Sequence, residues 1–118
     1  MAEPRDLLPL SPLSMAILLA LADGERHGYA LMQDIERQTE GMLRPGTGSL
    51  YAGLQRLVDD GLIQESPGAP GADRRRRYFA ITDEGRALAR AEAHRMLRVL
   101  SIAAGKKLAP PLVPAESN

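Results

Sequence analysis

The 118-residue chain has no cysteine and no tryptophan, and aromatic residues make up only 3% of it. Without thiols it forms neither disulfides nor thiolate metal sites, and it suits a reducing compartment. The two histidines, His27 and His94, lie far apart in the sequence, which leaves no metal-ligand cluster and no metal site to expect. No run approaches the roughly 20 apolar residues that span a bilayer, and MAEPRDLLPL carries acids and prolines where a secretory signal would be basic and then apolar. The chain is expected to be cytoplasmic, without a membrane. It offers no nucleophile–base pairing and no phosphate loop, so no enzymatic activity and no cofactor are expected.

What is present is an aliphatic, globular composition, 44% hydrophobic and 25% charged. The length suits one domain, and the core must come from Leu, Ile, Val, Met and Ala. Fifteen basic and fifteen acidic residues sum to a net charge of +0, which argues against phosphate binding in bulk. The distribution argues the other way. Arg74, Arg75, Arg76 and Arg77 are contiguous, and Arg44 and Arg56 bracket a candidate helix, whereas Asp59, Asp60, Asp83 and Glu84 sit at element ends.

Ser11-Pro12 predicts the start of a helix running to about Ala22. Leu13, Ala16, Ile17, Ala20 and Leu21 form one apolar stripe, and Met15, Leu18, Leu19 and Ala22 form a second. A second helix opens at His27-Gly28-Tyr29 and stops at Gly41. A third follows Arg44-Pro45-Gly46-Thr47-Gly48, with Thr47 or Ser49 as its cap and Leu50, Leu54, Leu57 and Val58 inward. Leu62–Ser66 and Arg75–Ile81 read as a β-hairpin around a Gly/Pro-rich loop. Thr82-Asp83-Glu84 caps a long last helix that reaches roughly Lys107, with basic residues in its last turn. The organisation is a flexible arm at 1–9, a winged helix-turn-helix at 10–82, a dimerisation helix at 83–108 and a disordered tail at 109–118. The fold class is mainly α with a small β-hairpin.

That order of parts is the order of a winged helix-turn-helix, in which the third helix enters the major groove and the hairpin lies along the backbone. On the third helix, Ser49, Ala52, Gln55 and Arg56 oppose the apolar stripe. Gln55 suits adenine, Arg56 guanine or a phosphate, and Ala52 a thymine methyl. Tyr29 and Tyr51 are placed for backbone contact, as are Thr47 and Ser49 through helix-terminal N–H groups and hydroxyls. In the basic run, Arg74 and Arg76, or Arg75, are expected to reach phosphate from alternating sides of a strand. His27 reads as a structural residue of a turn.

In the last helix, Ala89, Ala93, Met96, Leu100 and Ala103 fall at heptad spacings, and Leu97 widens the apolar surface. This helix, with Met15, Leu18 and Leu19 of the first, is expected to form a homodimer interface. The stretches SPLSMAILLALADGERHGYALMQDIE, PGTGSLYAGLQRLVDDGLI and RRRRYFAITDEGRAL resemble successive signatures of the PadR family of regulators, over about Leu10 to Leu88. The resemblance implies a repressor that binds double-stranded DNA at a pseudo-palindrome and is released by small aromatic or lipophilic effectors. Met15, Met96 and Leu97 are the candidate effector pocket. Ala52 and Gly53 replace larger or basic family residues, so no base preference carries over. The rival expectation is a winged-helix module for protein–protein contact, without sequence-specific DNA binding.

Overall fold

The computed structural model describes residues 4–73 and 75–111. Among them, a 3-10 turn at Pro4–Leu7 is followed by α1 (Pro12–Leu21), β1 (Arg26–His27), α2 (Gly28–Gln38), α3 (Thr47–Asp59), β2 (Ile63–Ser66), β3 (Tyr78–Ile81) and α4 (Asp83–Gly105). Local chemistry accounts for the helix starts. The Ser11 hydroxyl accepts from the Ser14 N–H at 3.1 Å with Pro12 at the first helical position, and the Thr82 hydroxyl accepts from the Gly85 N–H at 3.0 Å. His27 caps α2 in the same way, its Nδ1 accepting from the Ala30 N–H at 3.2 Å. The residue before α3 is Gly46, with no side-chain cap, and Thr47 and Ser49 lie inside the helix rather than capping it. Gly46 takes extended geometry and its carbonyl accepts from Leu50 N–H at 2.9 Å, so the helix begins one residue too early for Thr47 to cap it and three too early for Ser49. At the other end α4 stops at Gly105, which leaves Lys106 and Lys107 just past its last turn.

The sheet has three strands in the order β1-β3-β2, all antiparallel, where the sequence suggested a two-stranded hairpin. Arg26 pairs with Phe79 and His27 with Tyr78. Two residues are too few to show an alternating pattern, so only the arrival of β3 makes them a strand. The returning strand is also shorter than expected. The Asp73 carbonyl accepts from Arg76 N–H at 3.1 Å and its carboxylate from Arg75 N–H at 3.0 Å. That turn takes Arg75 and Arg76 out of the strand, and with them the expected alternation of arginines across two faces.

Helix α1 is the centre of the core, in contact with α2, α3, α4 and β3. Ile17, Leu18 and Leu21 are fully buried against Leu31, Ile35, Leu50, Leu54, Leu57, Leu62, Ile63, Phe79 and Leu88. Met15 and Leu18, expected at a dimer interface, are therefore covered by their own chain, and only Leu19 of that stripe stays exposed. A helix lined with apolar residues all round finds enough partners because α4 folds over α1 within the same protomer. The N-terminal segment is partly held as well: Leu7, Leu8 and Leu10 pack against the core, which takes residues 7–9 out of the expected arm. Residues 1–3 of that arm and most of the expected tail, 112–118, lie outside the described residues. Beyond Glu92, α4 leaves the domain, with Met96, Leu97, Val99, Leu100 and Ile102 each 44–54% exposed. Of the expected effector-pocket residues, Met15 is buried on α1 while Met96 and Leu97 are exposed on α4.

Candidate nucleic-acid interface

Helix α3 has two unlike sides. Leu50, Leu54 and Leu57 are buried, and Gly53 faces α1, where an added Cβ would lie 3.4 Å from Leu13 Cδ2 and 3.5 Å from Ile17 Cδ1. The small residue at 53 serves helix packing and says nothing about bases. The other side carries Thr47, Gly48, Ser49, Ala52, Gln55 and Asp59, all exposed. Gly48 and Ala52 allow close approach of this face to a groove. Gln55 Nε2 donates to Asp59 Oδ1 at 2.9 Å, which holds the amide in one orientation and leaves its oxygen to accept.

Tyr51 lies at the edge of that face and turns toward α2. Its ring sits against Gly28, the first residue of α2, so closely that any Cβ at 28 would overlap the hydroxyl and lie within 3.2 Å of Cε2. Glycine leaves room there for the ring, which any larger residue would displace, and no backbone angle calls for it. Arg77 covers the same ring, its guanidinium carbon 5.8 Å from the Tyr51 centroid and 5.3 Å from that of Phe79. Glu65 on β2 completes the arrangement, accepting from Arg77 Nε at 3.0 Å. This bond holds the Glu65 carboxyl below its ordinary range and raises Arg77.

Between α2, α3 and the wing these side chains leave a cleft of about 320 Å³, lined by His27, Gly28, Tyr29, Tyr51, Arg75, Arg76 and Arg77. Tyr29 is 58% exposed. His27 packs edge-on to Tyr78 with ring centroids 5.5 Å apart, and Arg76 Nη1 lies 3.3 Å from its Nδ1. Burial and then Arg76 lower the His27 pKa, against the opposing pull of Asp34 and Asp73. Because Nδ1 accepts from the Ala30 N–H to cap α2, the neutral ring carries its proton on Nε2. Asp73 sits beneath the arginines, bonded to Arg75 at 3.2 and 3.3 Å and 3.8 Å from Arg76 Nε. Arg75, through side chain and backbone, lowers the Asp73 pKa.

The sequence-predicted residues thus divide. Tyr29, Tyr51, Arg75 and Arg76 meet in one cleft, beside the exposed Thr47, Ser49, Ala52 and Gln55 of α3. Arg56 lies on the α1 side, lining a separate cleft with Ser11, Ser14 and Asp60. Arg44 is paired with Glu36 at 3.3 Å on the turn between α2 and α3. Arg74 lies outside the described residues. Sequence reasoning missed the contributions of Gly28 and Arg77 and the capping role of His27. The HGY triplet at the start of α2 was the available signal, but its partners, Tyr51 and Arg77, come from two other elements.

This geometry can be set beside known proteins. Residues 17–91 match the model of the transcriptional regulator PadR-like family. The chain belongs to that family. It is 45% identical over 87 residues to an uncharacterized 37.1 kDa protein in transposon TN4556 of Streptomyces fradiae, covering 72% of this chain and 23% of that protein. The chain thus spans about a quarter of that relative's length. It is 31% identical over 75 residues to a Lysinibacillus sphaericus protein called protein X, covering 64% of this chain and 69% of the other. Among solved structures it is similar to RosR of H. salinarum, with 26% identity, a TM-score of 0.64 and coverage of 86% and 97%. A PadR family transcription regulator of Clostridium difficile R20291 shares the fold, with a TM-score of 0.68 at 16% identity and coverage of 82% and 99%. The fold of this PadR-like chain is a winged helix with a long C-terminal helix. Among the described residues, no helix is long and apolar enough to cross a membrane.

Proposed function

We propose that this PadR-like regulator is a cytoplasmic repressor that binds double-stranded DNA as a homodimer. The observation that carries the reading is the convergence of Arg75, Arg76, Tyr29 and Tyr51 in one cleft, next to an exposed α3 face of small residues around a single oriented amide. Guanidinium and hydroxyl groups there suit two neighbouring phosphates, while Ala52 and Gln55 suit base edges. Thr47 and Ser49, in the first turn of α3, suit a further phosphate. Arg77 supports the cleft through Tyr51, while Arg44, paired with Glu36, and Arg56, on the α1 side, stand apart from it.

A second copy of the chain is the occupant of the apolar side of α4. Ala89, Ala93, Met96, Leu100 and Ala103 keep heptad spacing, and among the described residues the large apolar side chains beyond Glu92 stand exposed. Leu97 and Leu19 extend that surface. Two heads held in this way suit half-sites about 34–36 Å apart, or a multiple of it. A small lipophilic effector, if held between the paired helices near Met96 and Leu97, releases DNA by favouring a different head spacing.

Fluorescence anisotropy with a duplex from upstream of the protein's own gene, over a range of salt, tests this. Sequence preference with a steep salt dependence is expected. Arg76→Ala should weaken binding about tenfold and flatten the salt slope, a loss within the range of charge-assisted contacts, and Leu100→Glu should give monomers by light scattering. Absence of binding at low salt would favour the protein-contact module instead.

A further inference from the structure

Glu92 is the buried charged residue of the described structure, 2% exposed. It continues the buried stripe Gly85, Leu88, Glu92 on α4 and is the last buried residue of that helix. Its Oε2 accepts from the Leu10 N–H at 2.9 Å, and Arg95, one turn further on, donates to both carboxylate oxygens. Leu10 directly precedes Ser11, the cap of α1, and α1 in turn packs on α3 through Leu13, Ile17 and Gly53. One carboxylate therefore ties the exit point of α4 to the helix on which the DNA-reading helix rests.

An apolar contact at this point would allow α4 to slide or tilt with little change in energy, because dispersion is non-directional. A hydrogen bond from a fixed backbone N–H prefers a near-linear geometry and weakens when bent. From Ala93 to Gly105 the helix projects about 20 Å beyond the tie, at 1.5 Å per residue. A tilt of about 10° at the tie moves the far end by about 3.5 Å. Applied in both protomers of a two-fold dimer, that changes head separation by up to about 7 Å, or about two base pairs on the scale of about 34–36 Å per helical turn.

We infer that Glu92 is a positioning residue that sets the angle at which α4 leaves the winged helix, and through it the spacing of the two heads. This rests on the dimer proposed above. A buried ionic group is weak evidence of stability and in some systems serves conformational specificity instead, a use that the fully satisfied carboxylate here fits.

The absence of cysteine makes the test direct. Met42→Cys, at a residue 86% exposed on the α2–α3 turn, places one spin label on each head. Double electron–electron resonance on the full chain should give one narrow inter-label distance. Glu92→Leu should broaden or shift it by about 5 Å, on the lever arm above, while Glu92→Gln, which keeps an oxygen for the Leu10 N–H, should restore a distribution close to that of the parent. Should Glu92→Leu fail to fold, Arg95→Ala at the partly exposed end of the pair should broaden the distribution to a lesser degree. A folded Glu92→Leu with the parental distance, an unchanged Arg95→Ala, or a Glu92→Gln as broad as Glu92→Leu overturns the inference. Complete lack of an inter-label signal in the parent removes the dimer reading, and this inference with it.

Discussion

Replacing Gly85 by alanine should destabilise the protein, although the same change in an open helix position stabilises. Gly85 lies in the first turn of α4, where the helix meets the start of β2. An added Cβ would overlap the Leu62 carbonyl oxygen, lie 3.0 Å from the Leu62 carbonyl carbon and 2.9 Å from Ile81 Cγ1. Carbon atoms rest at about 3.5–4.0 Å, so α4 would have to back away by about 1 Å or more. That movement stretches the bond from Thr82 N–H to Leu62 O, now 3.1 Å, and loosens the Leu88 contact with the core. Overpacking of this kind costs about 1–3 kcal/mol, against a helix-propensity gain of at most about 1 kcal/mol. The net loss is about 1–2 kcal/mol, or about 5–15 °C in Tm for a domain of this size. Gly48 is the control, since nothing lies within 4 Å of a Cβ there. Gly48→Ala should be neutral or stabilise by up to about 1 kcal/mol. Thermal melts by circular dichroism at matched protein concentration compare the two. Equal shifts in the same direction, or a Gly85→Ala protein that melts no lower than the parent, would refute the reasoning.

Other consequences can be checked with similar tools. Gly28→Ala should displace the Tyr51 ring and weaken DNA binding about tenfold, an effect within the range of overpacking. In a Tyr51→Ala background it should cost nothing further, and additive losses in that cycle would separate the two residues. Asp73→Asn frees Arg75 and Arg76 from a carboxylate that competes with phosphate, so affinity for any duplex should rise about two- to fivefold at low salt, in keeping with a weak surface pair; a fall in affinity would mean that Asp73 serves mainly to shape the wing. The Glu92 carboxyl is held below its ordinary range by its bond with Arg95 and, against burial, by the Leu10 N–H. A depressed folded pKa adds stability that is present above the unfolded value and lost as pH falls through the folded one. Urea melts should therefore show Glu92→Gln losing less stability than the parent below about pH 4.5, the ordinary glutamate range; parallel acid limbs would count against it.

Much of the fold was legible in the chain because its signals are local. Ser11-Pro12 and Thr82-Asp83-Glu84 mark helix starts through hydrogen bonds made within three residues, and the stripes at Leu50, Leu54 and Leu57 follow from the helical repeat alone. The split of α3 into a buried and an exposed side needed nothing else. The basic run and the two tyrosines were visible as residue types suited to phosphate, before any contact between them was known.

Other features depended on the arrival of distant segments. β1 exists because β3 pairs with two residues that carry no pattern of their own, and the arginine run leaves the strand because Asp73 holds it in a turn. Met15 and Leu18 could not be assigned by periodicity, since an apolar stripe does not say whether its cover comes from the same chain or from a second one. Glu92 was silent for a related reason: a glutamate on a helix reads as solvated until Leu10, 82 residues away in sequence, offers it an N–H. Helical and capping signals act over one turn and are written in adjacent residues, so this sequence determined its elements and their apolar faces by itself. Which faces meet, and which charged groups become buried in doing so, is decided by packing between segments far apart in the chain, and only the tertiary structure contains it.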